Sequence, residues 1–230
     1  MKHYDSIPRI SDDGSLVGES VYGFNKIDGQ NFCVRYNPKN GEFGPFGSRT
    51  VSVDEGSIQF GDAVRYFKQS GIGDILRKII KENSGKKGVF NGVEEITFFF
   101  EWYGENSFAG KHQDGDEMKL ALIDVFLKKR GYMEPKDFVD MFYGTMLHVP
   151  DLVYKGPLTN EVISTIANIN SIEPVRLDYG MSSCVIKEGV VFKRSTLLKG
   201  QRRPSVKVKT KWWLDKLHSM YSEEECKKLE

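Results

Sequence analysis

The sequence offers no disulfide framework, no zinc ribbon and no membrane anchor. Cys33, Cys184 and Cys226 are its three cysteines; they lie far apart and form no CxxC pair, which excludes a stapled mini-domain, a cysteine metal site and a dithiol redox centre. A reducing compartment is the matching expectation. His3, His112, His148 and His218 are scattered without metal-ligand spacing. No apolar run approaches the roughly 18 residues of a membrane span, and the opening MKHYDSIPRI has no export-signal core. We therefore expect a soluble, cytoplasmic protein without a membrane partner. Neither sign of charge dominates, with 33 Lys and Arg against 32 Asp and Glu, so any nucleic-acid signal must come from local clustering. GxGxxG, GxxxxGK[ST] and GxSxG are all missing, and the SSC at 182–184 has no elbow glycines. Rossmann, P-loop and serine-hydrolase readings fall with them.

What is present reads as one α+β domain. No repeat or long Pro/Gly/Ser linker divides the 230 residues. VYGFNKIDGQNFCVRY alternates on both sides of Asp28-Gly29, the pattern of a hairpin with Lys26 just before its turn. EEITFFFEWYG at 94–104 reads as a buried strand with Glu101 at its exit. Helical spacing broken by Gly71 and Gly73 predicts two short helices between 61 and 83. Two more are expected at 135–143 and 159–169, the second capped by Thr159 or Asn160. VIKEGVVFKRS and PSVKVKTKWW return to strand character. This order is mixed rather than a regular βαβ alternation, so antiparallel sheets fit better than a doubly wound fold.

Lys26, in KIDGQN, is a nucleophile only when neutral. Its free pKa of about 10.4 would have to be lowered by neighbouring cations, a metal or burial; Lys207, Lys209, Arg49 and a divalent ion are the candidates. Read alone, so short a pattern favours a solvated lysine beside a turn. Glu101 and Glu188 flank apolar strands, where a carboxylate can face a cleft and bind magnesium together with phosphates, or simply end a strand at the surface. Lys207 and Lys209 share one strand face and want an anion, unless they protect an exposed edge. Between Lys193 and Lys211 the chain carries eight basic residues, Lys193, Arg194, Lys199, Arg202, Arg203, Lys207, Lys209 and Lys211, and no acid. That stripe fits either a phosphodiester track or a solvated face. Trp212 and Trp213 follow it as base-stacking or helix-docking aromatics.

Taken together and in order, KIDGQN, GSRT, FFEWYG, EGVVFK and VKVK resemble the nucleotidyltransferase motifs of the superfamily holding ATP-dependent DNA ligases, RNA ligases and mRNA-capping guanylyltransferases. The resemblance implies two antiparallel β-sheets flanked by helices around a nucleotide cleft. It implies that Lys26 takes AMP from ATP as a lysyl phosphoramidate, passes it to a 5′-phosphate, and that a 3′-hydroxyl then displaces it. Asp28, Gly29, Asn31, Arg49, Glu101 and Glu188 would surround the nucleotide, with Glu188 and Glu101 as ligands for Mg2+ or Mn2+. Lys207 and Lys209 would grip the α-phosphate and the leaving pyrophosphate. Arg49, Lys193, Arg194, Arg202, Arg203 and Lys211 would hold the nucleic acid.

Asn31 resembles the RNA-ligase-2-like branch, the group of phage and RNA-editing ligases, where DNA ligases and capping enzymes usually carry arginine. RNA ends or a nicked duplex are the expected partners, and a monomer the expected state. A DNA ligase, a capping guanylyltransferase and a silent nucleic-acid-binding module are the alternatives. The chain departs from the family pattern at Asn25, where glutamate is common, and before Asp124, where Leu120 and Leu122 replace the expected adenine-stacking aromatic, leaving Phe126 as another candidate. Only 21 residues follow Lys209, so a C-terminal helical tail at about 210–230 is expected and an OB domain is not.

Overall fold

The computed structural model describes residues 2–177, 183–196 and 204–229. Its elements run β1 (Ser20–Asn25), β2 (Gln30–Asn37), β3 (Glu42–Ser48), β4 (Ser52–Val53), α1 (Gly61–Gln69), α2 (Ile72–Glu82), β5 (Ile96–Tyr103), β6 (Lys119–Leu127), β7 (Gly131–Tyr132) and α3 (Pro135–Phe142). There follow β8 (Leu152–Pro157), α4 (Asn160–Ala167), β9 (Pro174–Val175), β10 (Cys184–Val185), β11 (Gly189–Arg194), β12 (Ser205–Lys209), α5 (Lys211–Met220) and α6 (Glu223–Leu229). The predicted helices all form, and the Thr159 side chain caps α4 by accepting from the Val162 N–H.

A six-stranded sheet in the order β4-β3-β2-β5-β6-β7 faces a four-stranded sheet, β12-β11-β1-β8. Pairing within both is antiparallel. Period-two alternation sorts the side chains. On the larger sheet, Phe32, Val34, Phe98, Phe100 and Trp102 pack with α1 and α2 in the main core, which turns Asn31, Cys33, Phe99 and Glu101 to the opposite face. On the smaller sheet, Val190, Phe192, Val206 and Val208 pack with α4, which turns Val191, Lys193, Lys207 and Lys209 toward the cleft between the sheets.

The expected hairpin at Asp28-Gly29 does not form. β1 pairs with β11 and β8, whereas β2 pairs with β3 and β5. Residues 26–29 are therefore a strap crossing from one sheet to the other. Both flanking strands alternate as a hairpin's would, and strand periodicity carries no information about the partner. Gly29 is needed for close approach: a Cβ there would lie 2.5 Å from the Trp102 carbonyl oxygen and 2.7 Å from Tyr103 Cβ. The crossing puts Lys26 between the sheets, with its N–H bonded to the Gly189 carbonyl at 2.8 Å.

The sheets are tied together behind the cleft by a buried ion pair. Lys193 Nζ lies 2.9 Å from Asp124 Oδ2 and donates to the Ile123 carbonyl at 2.7 Å; the Tyr4 hydroxyl donates to the same carboxylate at 3.1 Å. Register jumps here from Phe99 opposite Asp124 to Phe100 opposite Leu122. Ile123 is thus an extra bulge residue that re-aims the strand at the cleft.

Candidate active site

The cleft encloses a cavity of about 420 Å³ lined from both sheets. At its base Lys26, Glu188 and Lys209 form a row: Lys26 Nζ is 2.8 Å from Glu188 Oε2, and Lys209 Nζ is 3.0 Å from Oε1 of the same carboxylate. Local chemistry fixes Glu188 in place. The Thr210 N–H donates to the Glu188 carbonyl at 3.0 Å, and its hydroxyl donates to the Lys187 carbonyl at 2.7 Å while accepting from the Trp213 N–H at the start of α5. One N-cap threonine thereby orients both the helix and the acid.

The charges interact strongly because the cleft is poorly hydrated. Burial alone would lower the Lys26 ammonium, but Glu188 and then Glu101 outweigh it and hold it above its usual value. Burial would raise the Glu188 carboxyl, and the two ammonium groups hold it below. This reverses the expectation that Lys207, Lys209 and Arg49 depress Lys26. The depression falls on the partners instead: burial, with Lys26 as the leading cation, brings Lys207 to about 8. Lys209 also falls to about 8, through burial and Lys26 against the pull of Glu188. Burial pushes Glu101 up to about 7 despite Lys26.

Other expected residues gather here with sharper roles. Asn31 sits opposite Glu101 on the neighbouring strand; its Nδ2 donates to the Phe100 carbonyl, while its buried Oδ1 has no partner. A buried acceptor left open in a cleft wall is suited to a ligand donor. Arg49 stands exposed at the rim after β3. Asp28 is an anchor: it accepts from Ala109 N at 2.8 Å, Gly110 N at 2.9 Å and Trp213 Nε1 at 2.7 Å. Leu120, Leu122 and Phe126 are not at the cavity, since the first two belong to the main core and Phe126 packs on Tyr132. Phe24, Ile123 and Val191 are among the apolar wall residues.

The basic stripe does not hold together as one surface. Lys193 is 4 % exposed and ion-paired inside, because strand alternation turns it into the cleft beside Lys207 and Lys209; it cannot serve an exposed RNA track. Arg194 pairs with Glu19 and Lys211 with Asp215 at the surface. Lys199, Arg202 and Arg203 lie outside the described residues. Trp213 is buried, which removes it as a base-stacking surface. Sequence reading missed Thr210, Ile123 and the N-terminal segment, whose Tyr4, Ser6 and Ile7 line the cavity. At the other rim, α6 contributes Lys228 and Leu229.

Among the described residues no three His, Cys, Asp or Glu side chains cluster as a metal cage. One or two carboxylates, Glu188 with Glu101 nearby, fit magnesium or manganese bound jointly with phosphates. A cleft between antiparallel sheets thus holds two lysines bridged by one buried carboxylate, with flanking cations and sparse hard ligands. The chain belongs to the RNA ligase family, whose model matches residues 19–209.

No curated protein matches the chain in sequence. Among solved structures, the RNA ligase of Naegleria gruberi with pyrophosphate is similar at TM-score 0.59 and 17 % identity, covering 95 % of this chain and 58 % of that one. Variants of that ligase with ATP and Mn (TM-score 0.61) and with AMP and Mn (TM-score 0.58) are each 15 % identical over 95 % of this chain and 58 % of theirs. The chain thus spans little more than half the length of these proteins. Among the described residues no helix is long and apolar enough to cross a membrane.

Proposed function

We propose that this chain is an ATP-dependent ligase that joins a 3′-hydroxyl to a 5′-phosphate, with RNA as its substrate. The observation that carries the reading is the Lys26, Glu188, Lys209 row at the base of the cleft. In the first step the neutral Lys26 amine attacks the α-phosphorus of ATP. The N–P bond forms, the bond to the β-phosphate oxygen breaks, pyrophosphate leaves and the lysine gives up a proton. Lys207 and Lys209 are placed to neutralise charge that builds on the phosphates, the main task of a site for phosphoryl transfer. A 5′-phosphate oxygen next displaces Lys26 from the AMP phosphorus, and a 3′-hydroxyl finally displaces AMP.

A divalent cation shared between Glu188 and the phosphates would supply further charge neutralisation. The chain's own residues do the rest. Phe24, Ile123 and Val191 offer an apolar slot for the base. Asn31 offers an unpaired acceptor, and Arg49 stands where an incoming phosphate would pass. The N. gruberi ligase was solved with ATP, AMP, pyrophosphate and Mn, which supports the same nucleotide and a manganese or magnesium cofactor here. A reducing cytoplasm, with which three free cysteines are consistent, and a monomeric state complete the reading. Sealing of matched nicks tests the substrate: ribose at the 3′-hydroxyl end should be preferred, and equal or better sealing with deoxyribose there would reject RNA specificity.

A further inference from the structure

The Lys26, Glu188, Lys209 row is closed into a ring by Trp213, a residue outside it. The Trp213 indole Nε1 donates to Asp28 Oδ2 at 2.7 Å, two residues along the strap from Lys26. The face of the same ring lies 3.3 Å, measured to its centroid, from Lys209 Nζ, and Lys209 reaches Glu188 at 3.0 Å. A path therefore runs from Lys26 through Glu188, Lys209, Trp213 and Asp28 back to the strap. Trp213 is 1 % exposed and braced by Phe108, with ring centroids 5.5 Å apart. Its backbone N–H is held by the Thr210 hydroxyl, and Thr210 also holds the Glu188 backbone. Both bridging contacts are of the stronger kind, an N–H to a carboxylate and a cation over an indole face. Phenylalanine would keep a ring face but could not reach Asp28 with a donor.

We propose that Trp213 is a positioning residue for lysyl-AMP formation. It fixes the strap carrying Lys26 through Asp28 and seats Lys209 against Glu188, so that nucleophile and phosphate-binding lysine keep their separation when ATP enters. The inference rests on the reading of Lys26 as the nucleophile, which absence of wild-type labelling would overturn along with it.

Single-turnover labelling with ATP and Mg2+ tests it in wild type, Trp213→Phe, Asp28→Asn, the double variant and Lys26→Ala. Trp213→Phe should lower the rate at saturating ATP by roughly tenfold to a hundredfold, as misplacement of a reacting group does. Its KM for ATP should stay within about twofold of wild type. Because Trp213 acts through Asp28, the double variant should be slower than Asp28→Asn by much less than the Trp213→Phe effect alone. A wild-type rate for Trp213→Phe, or independent effects in the double variant, would overturn the proposal while Lys26-dependent labelling still stood. Should Trp213→Phe fail to fold, NMR of the wild type decides. The indole N–H, assigned by its NOEs to the Ala109 and Gly110 amides, should be protected from exchange and should shift on charging with AMP. Rapid exchange, or no shift on charging, contradicts the role.

Discussion

At Lys26 the folded protein stabilises the form of the side chain that cannot react. Glu188 and Glu101 keep the amine protonated, so the neutral fraction should limit lysyl-AMP formation and the single-turnover rate should climb with pH, by about tenfold per unit well below the Lys26 pKa. Stopped-time labelling across neutral and alkaline pH checks this; a flat profile contradicts it. Glu188→Gln removes the nearest anion, so the rise should move to lower pH while the maximal rate falls. Glu101 has the opposite consequence for stability. Its folded pKa of about 7 lies above that of an unfolded glutamate, so the folded state binds the proton more tightly. Stability is therefore lost as pH rises from about 4.3 to about 7. Glu101→Gln should stabilise the protein at pH 8 by on the order of 1–2 kcal/mol, discounted for water in the cleft, and should do little at pH 4. Denaturant unfolding at the two values measures the difference, and equal effects would remove the assigned cause.

Between elements, the two sheets depend on the Lys193–Asp124 pair. Asp124→Ala would leave Lys193 charged and enclosed, at a cost of about 3–5 kcal/mol. Chemical denaturation should show that loss, and a change below about 1 kcal/mol would mean that other contacts hold the sheets. Lys193→Ala should likewise impair folding before it impairs RNA binding. The element level also shows what the sequence made legible. Strict alternation along β12 made the shared face of Lys207 and Lys209 readable directly. Asp28-Gly29 could not: alternation marks β1 and β2 as strands but leaves each strand's partner open, and the tight approach to Trp102 that requires Gly29 is non-local. The bulge was hidden for a similar reason: it shifts the pleat by one residue after Ile123, so that Asp124 joins Ile123 on the cleft side and Val125 turns to the core. The fate of Lys193 depended on Asp124, far away in the chain. Trp213 was visible as an aromatic after the lysines, but its bond to Asp28 depends on a helix whose direction no local pattern fixes.

Across the whole molecule, the cleft exists because the chain crosses from the four-stranded to the six-stranded sheet at residues 26–29, leaving Lys26 beside Glu188 and Lys209 at one end of the four-stranded sheet. Of the cations expected to hold a nucleic acid, Lys193 is enclosed, Arg194 and Lys211 are paired with acids, and Arg49 stands exposed at the rim. Binding of RNA should weaken as salt rises, with a shallow slope set by few phosphate contacts; a fluorescence titration at two or more salt concentrations measures it, and a slope equivalent to eight or so contacts would restore the full stripe. The proposed ligation begins with capture of AMP on one amine. Incubation with ATP labelled at the α-phosphate, in magnesium or manganese, followed by denaturing electrophoresis, tests that most directly. The wild-type chain should carry a covalent label that is acid-labile and released by pyrophosphate, and Lys26→Ala should carry none although it folds. Label that persists in Lys26→Ala, or a wild-type chain that takes none, would contradict it.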